Sequence, residues 1–127
     1  MEKKIIESAI VPAPIGPYSQ AVKAGNMLFC SGQIAIDVNT GNLVLDSIEA
    51  ETHQVMKNIS NLLNEADSHF ENIVKTSIFL SDMSLFPKVN EIYGSYFEGD
   101  FPARETVAVK TLPKSVNVEI SVTAFIK

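Results

Sequence analysis

Residues Val116 to Ile126 alternate without interruption. Val116, Val118, Ile120, Val122, Ala124 and Ile126 form one set, and Asn117, Glu119, Ser121, Thr123 and Phe125 the other. A period of two marks a strand with one apolar face, and that face has to be covered. The clearest cover is a helix over about Ser47 to Ala66. Its stripe is Ile48, Val55, Met56, Ile59, Leu62, Leu63 and Ala66, with Thr52 in the remaining slot. Offsets of three, four and seven place these residues on one side. Asp46 with Glu49 three residues later resembles a capping box at its start. A second helix is expected over about Ser84 to Phe97, with Phe86, Val89, Tyr93, Tyr96 and Phe97 as its face. Pro87 falls in its first turn, and Gly99 follows as a stop.

Five further segments read as strands: Lys3 to Ile10, Ser19 to Ala24, Met27 to Ser31, Ile73 to Leu80 and Arg104 to Val109. Gly25 and Asn26 suit a tight turn between the second and third. Val11 to Ser19 holds three prolines and a glycine, so it is a loop, yet Val11, Ile15 and Tyr18 make it apolar enough to pack. The order predicts an α+β layer, with two helices on one face of a sheet of about six strands. The other face would carry Glu119, Ser121, Thr123 and Phe125, with Ile73 and Phe79 as apolar candidates. A face so mixed and partly apolar points to self-association. If Arg104–Val109 and Val116–Ile126 form a hairpin across Thr111–Ser115, Arg104 and Thr106 come near Glu119.

The 127 residues suggest a single domain, 1–127. A net charge of −5 with no basic run argues against nucleic-acid binding. Cys30, the sole cysteine, sits in the apolar run Met27–Cys30 and reads as a buried structural thiol. No signal peptide is visible and no stretch approaches the ~20 apolar residues of a membrane span, so a cytoplasmic protein without membrane contact is expected. There is no glycine-rich phosphate loop and no metal-ligand spacing. His53 and His69 read as solvated.

Two residues carry possible chemistry. Arg104 is the only arginine among ten basic residues, and it follows Phe101-Pro102-Ala103 at the mouth of a strand. A guanidinium matches a carboxylate or phosphate with two parallel hydrogen bonds, which an ammonium cannot do. The plain alternative is a surface ion pair. Glu119 could orient or deprotonate water, with the Thr106 hydroxyl nearby. It could equally pair with Lys110 or Arg104. Asn90, near the apolar face of the second helix, reads from its spacing as a surface polar residue.

Several segments, taken in order, resemble the RidA/YjgF family of reactive-imine deaminases. They are Ala13-Pro14-Ile15-Gly16-Pro17-Tyr18-Ser19-Gln20-Ala21, Ser31-Gly32-Gln33, Val89-Asn90-x-x-Tyr93, Phe101-Pro102-Ala103-Arg104, Leu112-Pro113-Lys114 and Val118-Glu119-Ile120. The resemblance spans essentially the whole chain. It implies a chorismate-mutase-like α+β fold and a homotrimer with clefts between subunits. It also implies hydrolysis of 2-imino acids, such as 2-iminobutanoate and 2-iminopropanoate, to 2-oxo acids and ammonia. These imines derive from enamines such as 2-aminoacrylate, released by PLP-dependent dehydratases, so metabolite damage control is the implied setting. No cofactor or metal is implied. Carried over by position, Arg104 grips the substrate carboxylate, Glu119 activates water and Tyr18 closes the cleft. Ser31, Gly32, Asn90 and Thr106 are the further binding residues. One departure stands out: Glu105-Thr106 replaces the Ser-Cys that often follows the arginine, so a hydroxyl stands where a thiol is frequent. A non-catalytic module that binds 2-oxo acids is the main alternative. A ribonuclease reading, attached to relatives of this type, conflicts with the acidic charge.

Overall fold

The computed structural model describes residues 2–127. Six strands, β1 (Lys3–Ile6), β2 (Ala21–Ala24), β3 (Met27–Cys30), β4 (Ile73–Leu80), β5 (Ala103–Ala108) and β6 (Val118–Phe125), form one sheet in the order β1-β2-β3-β6-β4-β5. All neighbouring pairs are antiparallel except β4 with β5, which is parallel. Helices α1 (Ile48–Glu65) and α2 (Phe86–Gly94) pack over one face, which makes the fold α+β with a mixed sheet. The alternation in β6 holds residue by residue: Val118, Ile120, Val122 and Ala124 are buried, and the intervening residues are half-buried. They meet Val55, Met56, Ile59, Leu62 and Leu63 of α1 in the core. Among the described residues no helix is long and apolar enough to cross a membrane.

Four local expectations change. The α1 cap is Ser47, not Asp46: its hydroxyl accepts from the Ala50 N–H at 3.0 Å. The second helix is shorter than its apolar spacing suggested, because a 3₁₀ turn at Met83–Leu85 precedes α2 and the chain leaves the helix after Gly94. Ile73 joins the helix-covered core instead of the open face. A register shift between Ile73 and Lys75 turns it inward, while Phe79 stays on the open side opposite Glu119.

The fourth change is topological. β5 forms no hairpin with β6. The chain leaves β4, passes through α2 and returns parallel to β4 on its outer side. A parallel return needs such a crossover. Both edges of β6 are already taken, by β3 and β4. The segment after β5 therefore steps past the end of β4, with Lys114 and Ser115 at positive φ (54° and 56°). Glu51 secures the entry to β6. Its carboxylate, fully buried on α1, accepts from the Asn117 N–H and side-chain amide, both at 2.8 Å, and from the Val118 N–H at 3.2 Å. A buried carboxylate is tolerated when its lone pairs are filled this way.

Candidate active site

Glu119 lies on the sheet face away from the helices, at the edge of a cavity of about 540 Å³. The chain builds this cavity by anchoring a loop that has no regular structure of its own. Gln20, buried just before β2, accepts from the Ser8 N–H at 2.6 Å and donates to the carbonyls of Val11 and Pro12 at 3.1 and 2.9 Å. One side chain thus serves the backbone groups that proline-rich sequence leaves unpaired. Ile15 and Tyr18 project from the loop into the cavity wall. Ser31 is tied to Ser19 through its hydroxyl, which donates to the Ser19 carbonyl at 2.6 Å. Gln33 and Ile120 exchange backbone hydrogen bonds of 2.8 and 3.1 Å, which clamp Ser31-Gly32-Gln33 alongside Glu119.

Gly32 lets its backbone approach the Glu119 side chain closely. A Cβ on it would fall 2.9 Å from Glu119 Cδ. Burial pushes the Glu119 carboxyl above the ordinary glutamate range. The ion pairs found among the described residues are Lys75–Glu105 and Lys88–Glu91, so Glu119 pairs with neither Lys110 nor Arg104. The cavity therefore combines apolar walls, the Ser31–Gly32 backbone, the Lys114 side chain and one carboxylate that has no ionic partner among the described residues.

Arg104 stands elsewhere. Thr76 pairs with both Arg104 and Val122, so Arg104 lies on the helix-facing side of edge strand β5. Its Nη1 donates to Asn90 Oδ1 at 2.8 Å. The guanidinium carbon lies 5.5 Å from the ring centre of Phe86 and 5.3 Å from that of Tyr93. Tyr93 is fixed by donating to Thr76 Oγ1 at 2.9 Å, and burial raises its phenol pKa. Asn90, Tyr93, Gly94, Phe101, Pro102 and Arg104 border a shallow groove of about 420 Å³. Thr106, two residues along the same side of β5, has a buried hydroxyl oxygen with no hydrogen-bond partner among the described residues. Glu105 points the other way, to Ser77 and to Lys75 at 3.0 Å, and these hydrogen bonds hold its carboxyl below the usual range.

The residues singled out in the sequence thus fall into two groups. Tyr18, Ser31, Gly32 and Glu119 share the first cavity, whereas Arg104 and Asn90 share the second groove, with Thr106 on the same side of the sheet. Within one chain the two groups face opposite sides, and the hairpin that would have joined them is not formed. Asn90 and His53 are both exposed, as their spacing suggested, and each also has a partner: Asn90 Oδ1 accepts from Arg104, and His53 Nδ1 lies 2.7 Å from the Tyr96 hydroxyl. Cys30 is buried and its thiol is pushed up to about 12, which removes it as a nucleophile. Sequence reasoning missed Gln20 as the anchor of the loop and Phe86 as a neighbour of Arg104. Phe86 was within reach, because Phe86, Asn90 and Tyr93 share i, i+4, i+7 spacing.

Comparisons with known proteins agree along the chain's length. A RutC family protein of Pyrococcus horikoshii is 46% identical, over 97% of this chain and 98% of its own. The 2-iminobutanoate/2-iminopropanoate deaminase of Mus musculus is 43% identical, over 96% of this chain and 90% of its own. The crystal structure of the Rid family protein YyfA from Yersinia pestis superposes with a TM-score of 0.96 at 47% identity, covering 98% of this chain and 100% of that one. The family model described as Endoribonuclease L-PSP matches residues 8–126. The chain belongs to this family, that of the RidA/YjgF proteins.

Proposed function

We propose that the protein hydrolyses reactive 2-imino acids, 2-iminobutanoate and 2-iminopropanoate among them, to 2-oxo acids and ammonia. The observation that carries this reading is a pair of unneutralised charges. Arg104 and Glu119 each occupy a built site, and neither has an ionic partner among the described residues. A 2-imino acid needs both, an anion grip for its carboxylate and a carboxylate to work on water. The deaminase name of the murine relative supports the same chemistry.

In this mechanism Arg104 holds the substrate carboxylate through two hydrogen bonds and so fixes the imine carbon beside a water molecule. Glu119 removes a proton from that water as its oxygen bonds to the imine carbon. The C=N electron pair moves to nitrogen, giving a tetrahedral carbinolamine. The proton held by Glu119 passes to that nitrogen, making the amino group of the carbinolamine. Glu119 then takes the hydroxyl proton and delivers it to the amino group, so that the C–N bond breaks and ammonia leaves as the C=O bond of the 2-oxo acid forms. Tyr18 covers the cavity, Gly32 offers its backbone groups and Ser31 its hydroxyl oxygen to the bound molecule, and the Thr106 hydroxyl supplies a further hydrogen bond. The raised pKa of Glu119 suits a general base.

Arg104 and Glu119 face opposite sides of their own sheet, so the reading requires one residue from each of two chains. A homotrimer in which the β5 edge of one chain lies against the open sheet face of the next meets this requirement. Phe29 is 49% exposed and Val107 44% on that face, an apolar surface suited to burial. The enamines that yield such imines come from PLP-dependent dehydratases, so the protein works beside them in the cytoplasm. RNA cleavage fits less well: the family description names an endoribonuclease, but the net charge of −5 offers no electrostatic hold on a polyanion.

A coupled assay tests the reading. A threonine or serine dehydratase generates imine, semicarbazide traps it, and the protein competes for it. Trapping should fall as protein is added. Unchanged trapping across several amino-acid sources overturns the deaminase reading and favours a module that only binds 2-oxo acids. RNA cleavage by highly purified protein would favour the ribonuclease.

A further inference from the structure

We infer that Phe86, Asn90 and Tyr93 form a positioning frame that holds the Arg104 guanidinium ready for a carboxylate while leaving its charge unspent. For its ligand this inference rests on the imine reading; the frame itself rests on geometry. Three contacts from one face of α2 converge on one guanidinium: a hydrogen bond of 2.8 Å to Asn90 Oδ1 and ring centres at 5.5 and 5.3 Å. All three groups are neutral. Among the described residues Lys75 and Lys88 find carboxylates within 4 Å, but Arg104 does not. A carboxylate in place of the Asn90 amide would also hold the guanidinium, and more tightly, but it would compete with the substrate. Aromatic faces and an amide oxygen fix orientation without that competition.

The frame is itself held from behind. Val89 and Ile92 of α2 are buried in the core, and Tyr93 is tied by its hydroxyl to Thr76 of β4, the residue paired with Arg104. Helix α2 and strand β5 are therefore locked in one relative position at the height of the guanidinium. One Nη donor goes to Asn90, and the remaining N–H groups stay available. This assigns Asn90 a different role from lining the substrate: its oxygen is already spent on Arg104. It also gives Phe86 and Tyr93 a part in carboxylate recognition although neither bears an anion-binding group. An arginine side chain has much rotamer freedom to lose, so restraining it beforehand lowers the cost of binding.

Because Arg104 is the only arginine, its side-chain NMR signals are unambiguous. In the wild type the Nε–H should be displaced by the two rings, and rotation of the guanidinium should be slow. Asn90→Ala should speed that rotation, and Phe86→Leu should remove part of the ring shift. Calorimetry with 2-oxobutanoate should show affinity falling about 2- to 5-fold for Phe86→Leu, from loss of one cation–π contact. Tyr93→Leu should remove the second ring shift and weaken binding by a similar factor, whereas Tyr93→Phe should keep the ring shift but, having lost the bond to Thr76, allow faster guanidinium rotation. Asn90→Asp separates positioning from bulk stability. It should slow guanidinium rotation further, leave the melting temperature unchanged or higher, and weaken 2-oxobutanoate by roughly tenfold or more through a competing charge-assisted hydrogen bond. The methyl ester of 2-oxobutanoate should be insensitive to all these variants. Freely rotating Arg104 in the wild type overturns the frame. So does Asn90→Asp protein that binds 2-oxobutanoate as well as wild type does. A held Arg104 that binds no 2-oxobutanoate overturns instead the imine reading, and with it the ligand named here.

Discussion

Gly32→Ala offers a direct test of whether the placement of Glu119 matters. The added Cβ would lie 2.9 Å from Glu119 Cδ and 3.1 Å from Cγ and Oε2. Ordinary contact begins near 3.4 Å, so the carboxylate must retreat by about 0.5 Å, and by more if the side chain changes rotamer. The atoms met belong to the free end of a flexible side chain, so the fold can absorb the change. Gly32 is also not among the glycines at positive φ, so alanine brings no backbone strain. Restricting the unfolded chain should even stabilise by about 0.4–1 kcal/mol. A displacement approaching 1 Å in a catalytic group costs about 10²-fold in rate. The expected signature is therefore kcat/KM lower by about 10- to 100-fold in the semicarbazide competition assay, with a melting temperature unchanged or raised. Gly41→Ala should show the opposite pattern. Gly41 has φ of 76° with nothing near its missing Cβ. Alanine there should cost about 1–2 kcal/mol in left-handed strain and leave the rate alone. Full activity in folded Gly32→Ala would mean that the position of Glu119 does not limit the chemistry.

Three other outcomes follow from the same geometry. Arg104→Lys should weaken 2-oxobutanoate binding and nearly abolish turnover, whereas Glu119→Gln should keep the binding and lower the rate by about 10²–10⁴-fold, as calorimetry and kinetics side by side would show. Burial raises the Glu119 pKa, so the folded chain holds that proton to higher pH than the unfolded chain, and stability is lost as pH rises through the raised value. Glu119→Gln should therefore match wild type in acid and be more stable at neutral pH, while the acid limb of the wild-type rate profile should lie above the ordinary glutamate range. With its thiol pushed up to about 12, Cys30 should resist alkylation at pH 8 until the protein is unfolded, and Cys30→Ala should retain activity. Light scattering should give about 42 kDa, three times the 13.9 kDa chain, and a stable micromolar monomer would count against a site shared between copies.

What the sequence disclosed and what it withheld divide along a physical line. β6 and α1 were legible because each repeats one local rule, period two or offsets of three and four, and burial then follows that rule residue by residue. Pairing partners obey no such rule. Nothing in Ala103–Ala108 states whether it joins β6 as a hairpin or β4 in parallel, since its residues are nearly all exposed and its alternation is faint. Leu112-Pro113-Lys114 looks like a turn from either side. The error mattered, because the hairpin would have placed Arg104 and Glu119 in one pocket of one chain. In the sheet as formed, Val107, Phe79 and Glu119 share a row, and Arg104 lies three residues before Val107. Two strand spacings and three residues of rise separate the backbones by roughly 14 Å, and an odd offset puts the side chains on opposite faces. A three-carbon or four-carbon imino acid cannot span that gap. If these two residues act on one molecule, the second must come from a neighbouring chain. The same residues that failed to meet inside the monomer thereby turn assembly from a matter of surface area into a condition for activity. Mixing folded Arg104→Lys and Glu119→Gln proteins after dissociation should then restore part of the turnover, through sites that take one intact residue from each.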